Sequence, residues 1–205
     1  MNKKLFNIIL TVIILAFLIT ARLIYPETKL NTLIIRSFSI LAFIFLTITI
    51  TIGPIARLYP KFAHFIKNRR NLGVTTFFLV IVHVVLVVLR APNPPFGILS
   101  RGFTIFGLIA LIILTALAAT SFDSAVKFLT VKWWKRLHRL VYLAYILLIF
   151  HVYLGVLRFR PLKASIGFFA IVAWALFWQI KARKKKKIMV QQQAPSHPQP
   201  SPDST

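Results

Sequence analysis

Six runs of mostly apolar residues, roughly 5 to 24, 32 to 53, 72 to 90, 102 to 120, 137 to 157 and 163 to 181, take up most of this chain. A segment that crosses a bilayer as a helix needs about 20 such residues. Hydrocarbon offers no partner for peptide groups, so a spanning segment must satisfy its own backbone. The pattern therefore predicts an all-α, six-helix transmembrane bundle. Breaks between the runs fall at Pro26, at Gly53-Pro54 and Pro60, at the turn-rich APNPPFG of 91 to 97, at SFDS of 121 to 124, and at Pro161. Composition agrees: 58% of the 205 residues are hydrophobic and the mean hydropathy is +0.80. An ordinary soluble domain holds about 45–50% apolar residues.

The first run begins MNKKLFNIIL, charged and then apolar like a leader peptide, but it has no small-residue cleavage site and is long enough to span. It is expected to stay as a helix. Six spans put both termini on one side, and the positive-inside rule chooses that side. Cytoplasmic termini place 18 of the 26 Lys and Arg residues inside, at Lys3 and Lys4, from Arg57 to Arg70, from Lys127 to Arg139, and from Lys181 to Lys187. Residues 1–187 form the expected transmembrane domain. After the lysines at 184 to 187 the chain turns to Gln, Pro and Ser, so 188–205 reads as a disordered cytoplasmic tail.

Residue types that are scarce exclude much chemistry. There is no cysteine, which removes disulfides, iron–sulfur clusters, thiolate-ligated haem and covalent haem attachment. Only Glu27, Asp123 and Asp203 carry carboxylates, so paired acids and intramembrane carboxylate relays are missing and a transporter is disfavoured. Asp123 is expected to cap a short interfacial helix before Trp133. The net charge of +23 lies between apolar spans rather than on a soluble face, which points to lipid headgroups and not to nucleic acid. The glycines form neither G-x-G-x-x-G nor a Walker motif, and no repeat of fixed period is evident.

Five histidines remain. His197 lies in the polar tail and His64 in the interfacial segment PKFAHFIKNRR, and both read as solvated side chains. His83 and His151 are different, because each is surrounded by apolar sequence where an unsatisfied polar group is costly. Counted at ~1.5 Å per residue from the inner ends of their spans, they lie ~16 and ~21 Å deep and can face each other across one plane. Two neutral imidazoles without a carboxylate or thiol suit the axial positions of a b-type haem. Zinc or copper would recruit further ligands. His138 sits near the inner interface, roughly 140° and ~20 Å from His151 if one helix joins them, so it belongs to a different site or to none.

Each deep histidine is followed seven residues later by an arginine, Arg90 or Arg158. Seven residues turn about 700°, so each arginine points within about 20° of its histidine and lies ~10 Å nearer the outer face. Both suit haem propionates, with Arg160 less well directed. Arg69 and Arg70 could hold a flavin phosphate or quinone headgroup, or simply anchor the inner end of the third span.

The segments GPIARLYP at 53 to 60, NRRNLGVTTFFLVIVH at 68 to 83, and the W-x-x-L-H-R-L-V-Y…H run from Trp134 to His151 together resemble the ferric-reductase-like transmembrane superfamily. Within it the layout is similar to short bacterial haem-binding subunits that feed a separate periplasmic reductase. The resemblance implies b-haem ligation by His83 and His151, with His138 at a third recurrent histidine position. Oxidase relatives carry another histidine thirteen or fourteen residues away on the third span. Here Arg69, Arg70, Phe96 and Gly97 stand at those places, which leaves one haem or two open. The expected function is a membrane cytochrome b that works with separate donor and acceptor molecules, conducting electrons from the cytoplasmic side to the outer face. The alternative is a structural or assembly protein whose histidines only bond between helices.

Overall fold

The computed structural model describes residues 3–91, 101–155, 157 and 162–192, the side chains of 3, 163 and 164 excepted. They form α1 (Lys3–Ile24), α2 (Leu30–Leu58), a 3-10 helix (Pro60–Asn68), α3 (Arg69–Arg90), α4 (Gly102–Ala119), α5 (Asp123–His138), α6 (Val141–Gly155) and α7 (Leu162–Gln192). Six segments are long and apolar enough to cross a membrane, the fifth comprising α5 and α6 together. The expected six-span, all-α architecture is what the described residues adopt.

α2 is the central helix, packed against α1, α3, α6, α7 and the 3-10 helix. Its buried face carries Thr47, Thr49 and Thr51. Each hydroxyl donates to a carbonyl one turn back, Phe43, Phe45 and Thr47 respectively, at 2.7 to 2.9 Å. This local bond is what lets a hydroxyl lie in an apolar interior. Thr47 Oγ1 also lies 3.0 Å from the Tyr145 hydroxyl, and the Tyr145 ring stacks on Phe43 at 5.1 Å. α2 is thereby keyed to α6 at mid-depth.

The expected break at Gly53-Pro54 does not end α2, which runs on to Leu58 with Pro54 inside it. Proline has no N–H, so the Ile50 carbonyl loses its donor one turn later. Gln179 of α7 replaces that donor, with Nε2 2.8 Å from the Ile50 oxygen. A neighbouring helix has re-satisfied the freed backbone group, as membrane helices with internal proline require. Gln179→Leu strands the carbonyl, and the protein should lose about 1–3 kcal/mol of stability. Thermal unfolding in detergent should show a lower midpoint than the parent; an unchanged midpoint would mean that the bond is dispensable.

Just beyond, Lys181 Nζ lies 5.4 Å from the Trp178 ring, 5.5 Å from Phe177 and 5.8 Å from Tyr59. Cation–π attraction with three rings fixes the point where α7 leaves its apolar stretch. The helix then continues through the lysine run to Gln192, so the change of composition at residue 188 does not stop it.

α4 and α6 form the other tightly packed pair, and Ala110 and Ala144 are wholly buried there. Small residues let membrane helices approach until backbones nearly touch. The fifth apolar run is interrupted rather than continuous: α5 ends at His138, Arg139 and Leu140 form a turn, and α6 starts at Val141. The angular count from His138 to His151 along one helix therefore does not apply. α5 is itself bent at Thr130, whose φ of 60° and ψ of 150° are non-helical. Asp123 is the first residue of α5, and the cap position is taken by Phe122.

Candidate functional site

His83 and His151 occupy corresponding places on α3 and α6. His83 Nδ1 lies 3.1 Å from the carbonyl oxygen of Ile35 on α2, and His151 Nδ1 lies 3.0 Å from that of Phe103 on α4. A carbonyl can only accept, so each Nδ1 must carry the proton. Each Nε2 then keeps its lone pair, and it makes no hydrogen bond to a described residue. That is the tautomer of a histidine ready to ligate a metal through Nε2, with the ring orientation set by a backbone acceptor. The rings stand near enough to interact electrostatically. α3 packs chiefly on α2 and α6 chiefly on α4, so the histidines are presented from two helix pairs.

These pairs reveal a regularity that inspection of the sequence missed. Ile35 precedes His83 by 48 residues, and Phe103 precedes His151 by 48. The second set is the first displaced by 68 positions, and at the same displacement Arg90 corresponds to Arg158, Leu79 to Leu147, Ala42 to Ala110 and Thr47 to Thr115. The signal lay in the chain, but apolar spans resemble one another by composition alone. Only the paired hydrogen bonds identify which displacement matters.

At the end of the bundle where α3 begins, His138 closes α5. Its ring stacks on Trp134 at 4.1 Å with 30° between planes, and its Nε2 lies 3.3 Å from Thr120 Oγ1. Trp134 Nε1 donates to the Thr120 carbonyl at 2.9 Å. Arg69 and Arg70 of α3 stand within electrostatic reach of this ring. Both arginines are also structural ties. Arg69 Nε donates to the Thr49 carbonyl at 2.9 Å, while Arg70 donates to the Ser121 carbonyl and pairs with Asp123 at 2.6 Å. The structure thus joins two arginines of α3 and the end of α4 to the His138 ring, a cluster that the sequence alone does not reveal.

The remaining candidates are more scattered. Arg90 ends α3 and donates to Thr32 Oγ1 at 2.7 Å, about one turn along α2 from the carbonyl that holds His83. Arg158, Arg160, Phe96, Gly97 and His197 lie outside the described residues. His64 is exposed in the 3-10 helix, its Nδ1 2.9 Å from the Lys61 carbonyl oxygen. Among the described residues no three of His, Cys, Asp and Glu come together. Two open grooves of about 390 and 750 Å³ run along α7, one by Ile44, Thr47 and Trp174, the other by Tyr153, Ser165 and Phe169. Neither includes a histidine, and such lateral apolar grooves are where bilayer chains lie.

Residues 34–149 match the family described as ferric reductase like transmembrane component. The chain belongs to the ferric-reductase-like transmembrane family. The family match includes His83 and stops two residues before His151. Over 158 residues the chain is 31% identical to the protein-methionine-sulfoxide reductase heme-binding subunit MsrQ of Polaromonas naphthalenivorans, covering 69% of this chain and 68% of that one. It is 31% identical over 154 residues to MsrQ of Herminiimonas arsenicoxydans, covering 71% and 70%. Over 119 residues it is 34% identical to the magnetosome protein MamZ of Magnetospirillum gryphiswaldense, covering 56% of this chain but 18% of that protein. No solved structure matches this family member.

Proposed function

We propose that this protein is a b-type cytochrome of a bacterial inner membrane that carries electrons from a cytoplasmic donor to an acceptor at or beyond the outer face. The observation that carries this reading is the pair His83 and His151, each with Nδ1–H tied to a carbonyl of the adjoining helix and Nε2 left unbonded. The donor set fits a haem with two axial imidazoles, and the absence of cysteine limits attachment to the non-covalent b type. Similarity to the heme-binding subunits supports the same cofactor. A haem held there supplies one-electron exchange.

The chain's own residues do the rest. His83 and His151 would supply the two imidazole nitrogens that hold such a haem, and the carbonyls of Ile35 and Phe103 hold both rings through Nδ1. The surrounding apolar helices exclude water. With two imidazoles supplied by the protein, the site would not need to bind substrate at the metal. Neither a nucleotide fold nor a flavin domain is evident in the sequence, so electrons come from a separate reductase, a quinol, or a flavin carried at the inner face. His138, stacked on Trp134 beside Arg69 and Arg70, serves that entry side.

On this reading Arg90, together with Arg158 from the sequence pattern, would pair with haem propionates on the outward side. Oxidised haem carries one more positive charge than reduced haem, so a nearby arginine favours the reduced form. Two charges ~10 Å apart interact by about 1–2 kcal/mol at an effective dielectric of 20, equivalent to several tens of millivolts. Arg90→Gln should therefore lower the haem midpoint potential by an amount of this order. Redox titration of the purified variant checks it, and a bound haem with unshifted midpoint contradicts the outward placement.

The rival, a structural or assembly protein, draws on the same hydrogen bonds, since histidines that donate to a neighbouring helix also tie it. Vesicles separate the two. With ferricyanide trapped inside liposomes and dithionite outside, vesicles bearing the protein should reduce the trapped acceptor, whereas a purely structural protein leaves it at the rate of empty vesicles.

A further inference from the structure

His151 is seated against α4 at a place where no side chain other than hydrogen fits. A β-carbon on Gly107 would fall 2.7 Å from His151 Nδ1, 2.8 Å from Cε1 and 3.3 Å from Cγ. Comfortable carbon contacts begin at about 3.5 Å. The ring cannot simply retreat, because its Nδ1–H is held by the Phe103 carbonyl at 3.0 Å. Phe103 also lays its own ring on the imidazole, with centroids 5.6 Å apart and planes at 52°. That phenyl ring is backed by a second glycine: a β-carbon on Gly155 would come within 2.8 Å of Phe103 Cδ2.

The first half of the molecule supplies an internal comparison. At the displacement of 68 positions Ser39 stands where α4 has Gly107, and Val87 where α6 has Gly155. The Ser39 hydroxyl is turned to its own helix, 2.8 Å from the Arg36 carbonyl. The two histidines share the carbonyl bond, but only His151 rests on a glycine and is gripped between a helix backbone and a phenyl ring.

We propose that Gly107, with Gly155 behind Phe103, forms a clamp that sets the rotation of the His151 imidazole and hence the direction of its Nε2. Gly107 is a positioning residue, acting through His151. Its bearing on the metal rests on the proposed haem ligation; its bearing on the ring does not. A methyl group at 107 pushes the imidazole off the Phe103 carbonyl, frees it from the Nδ1–H tautomer, and turns Nε2 from its line, while His83 on the far helix pair is untouched.

The test compares full-length parent, Gly107→Ala, His151→Ala and, as a control, Gly102→Ala, since a β-carbon at Gly102 meets nothing within 4 Å. In haem-free protein labelled with ¹⁵N-histidine, the signals missing from His151→Ala belong to His151. The parent and Gly102→Ala should show a single Nδ1–H tautomer there, and Gly107→Ala should show a mixture or the Nε2–H form. Haem-loaded Gly107→Ala should lose the low-spin spectrum for a five-coordinate form that binds carbon monoxide when reduced. Unchanged His151 signals in Gly107→Ala would overturn the clamp. Altered signals with an unaltered haem spectrum would overturn the positioning role, and if His151→Ala also kept that spectrum the haem assignment itself would fall. Should Gly107→Ala not be recovered folded, Gly155→Ala decides, because it reaches the imidazole only through Phe103: a shift in the His151 signals upholds the clamp and none overturns it.

Discussion

Alanine at His83 or at His151 should each abolish the low-spin haem spectrum of the purified protein, whereas His64→Ala and His197→Ala should leave it intact. The expected loss is complete for six-coordinate haem, because among the described residues no third His, Cys, Asp or Glu gathers with the pair to replace the missing ligand. Removing one imidazole also leaves the Ile35 or Phe103 carbonyl without the N–H it accepts, a cost of about 1–3 kcal/mol if no water enters. That second effect is small beside the first. A glutamine that kept the carbonyl bond but offered no imidazole should therefore still not restore the spectrum. His64 bonds within its own 3-10 turn on the surface, so its removal touches nothing near the pair. An unchanged low-spin spectrum in the His151 variant would remove the basis of the assignment.

His138→Ala should retain haem and lose reduction from the cytoplasmic side. The ring lies at the end of α5, stacked on Trp134, on a helix that a two-residue turn separates from the one bearing His151. Its neighbours Arg69 and Arg70 are held in place by the Thr49 and Ser121 carbonyls and by Asp123, so the cluster is a fixed cationic surface rather than a set of loose anchors. Such a surface favours an anionic donor cofactor. Alanine removes the aromatic ring and its Thr120 contact while leaving the arginines tied. Stopped-flow reduction of vesicle-embedded protein by a reduced soluble flavin checks this. A normal rate with normal haem content would make His138 an interfacial side chain without a part in electron entry.

The spans were legible because hydrophobic length is a property of the sequence itself, and counting residues along a helix was enough to single out His83 and His151 as the two deep histidines of the proposed site. What escaped was tertiary. Pro54 reads as a break in one dimension, and only Gln179, 125 residues away, explains why α2 passes through it. His138 and His151 read as one helix because Arg139 and Leu140 carry no turn signal. The acceptors Ile35 and Phe103 were invisible, since a carbonyl has no residue identity. Gly107 looked like any of seven glycines until the imidazole was found against it. Arg90 lies about two turns along α3 from His83, and Thr32 of α2 holds it, a partner that the seven-residue spacing could not reveal.

The central claim is that two imidazoles, and nothing else, hold an iron between α3 and α6. Electron paramagnetic resonance of the oxidised, purified protein at low temperature tests it most directly. The account predicts a low-spin ferric signal of a bis-imidazole haem, absent from both His83→Ala and His151→Ala. A protein that takes up no haem, or one whose haem is high-spin in the parent, would contradict it.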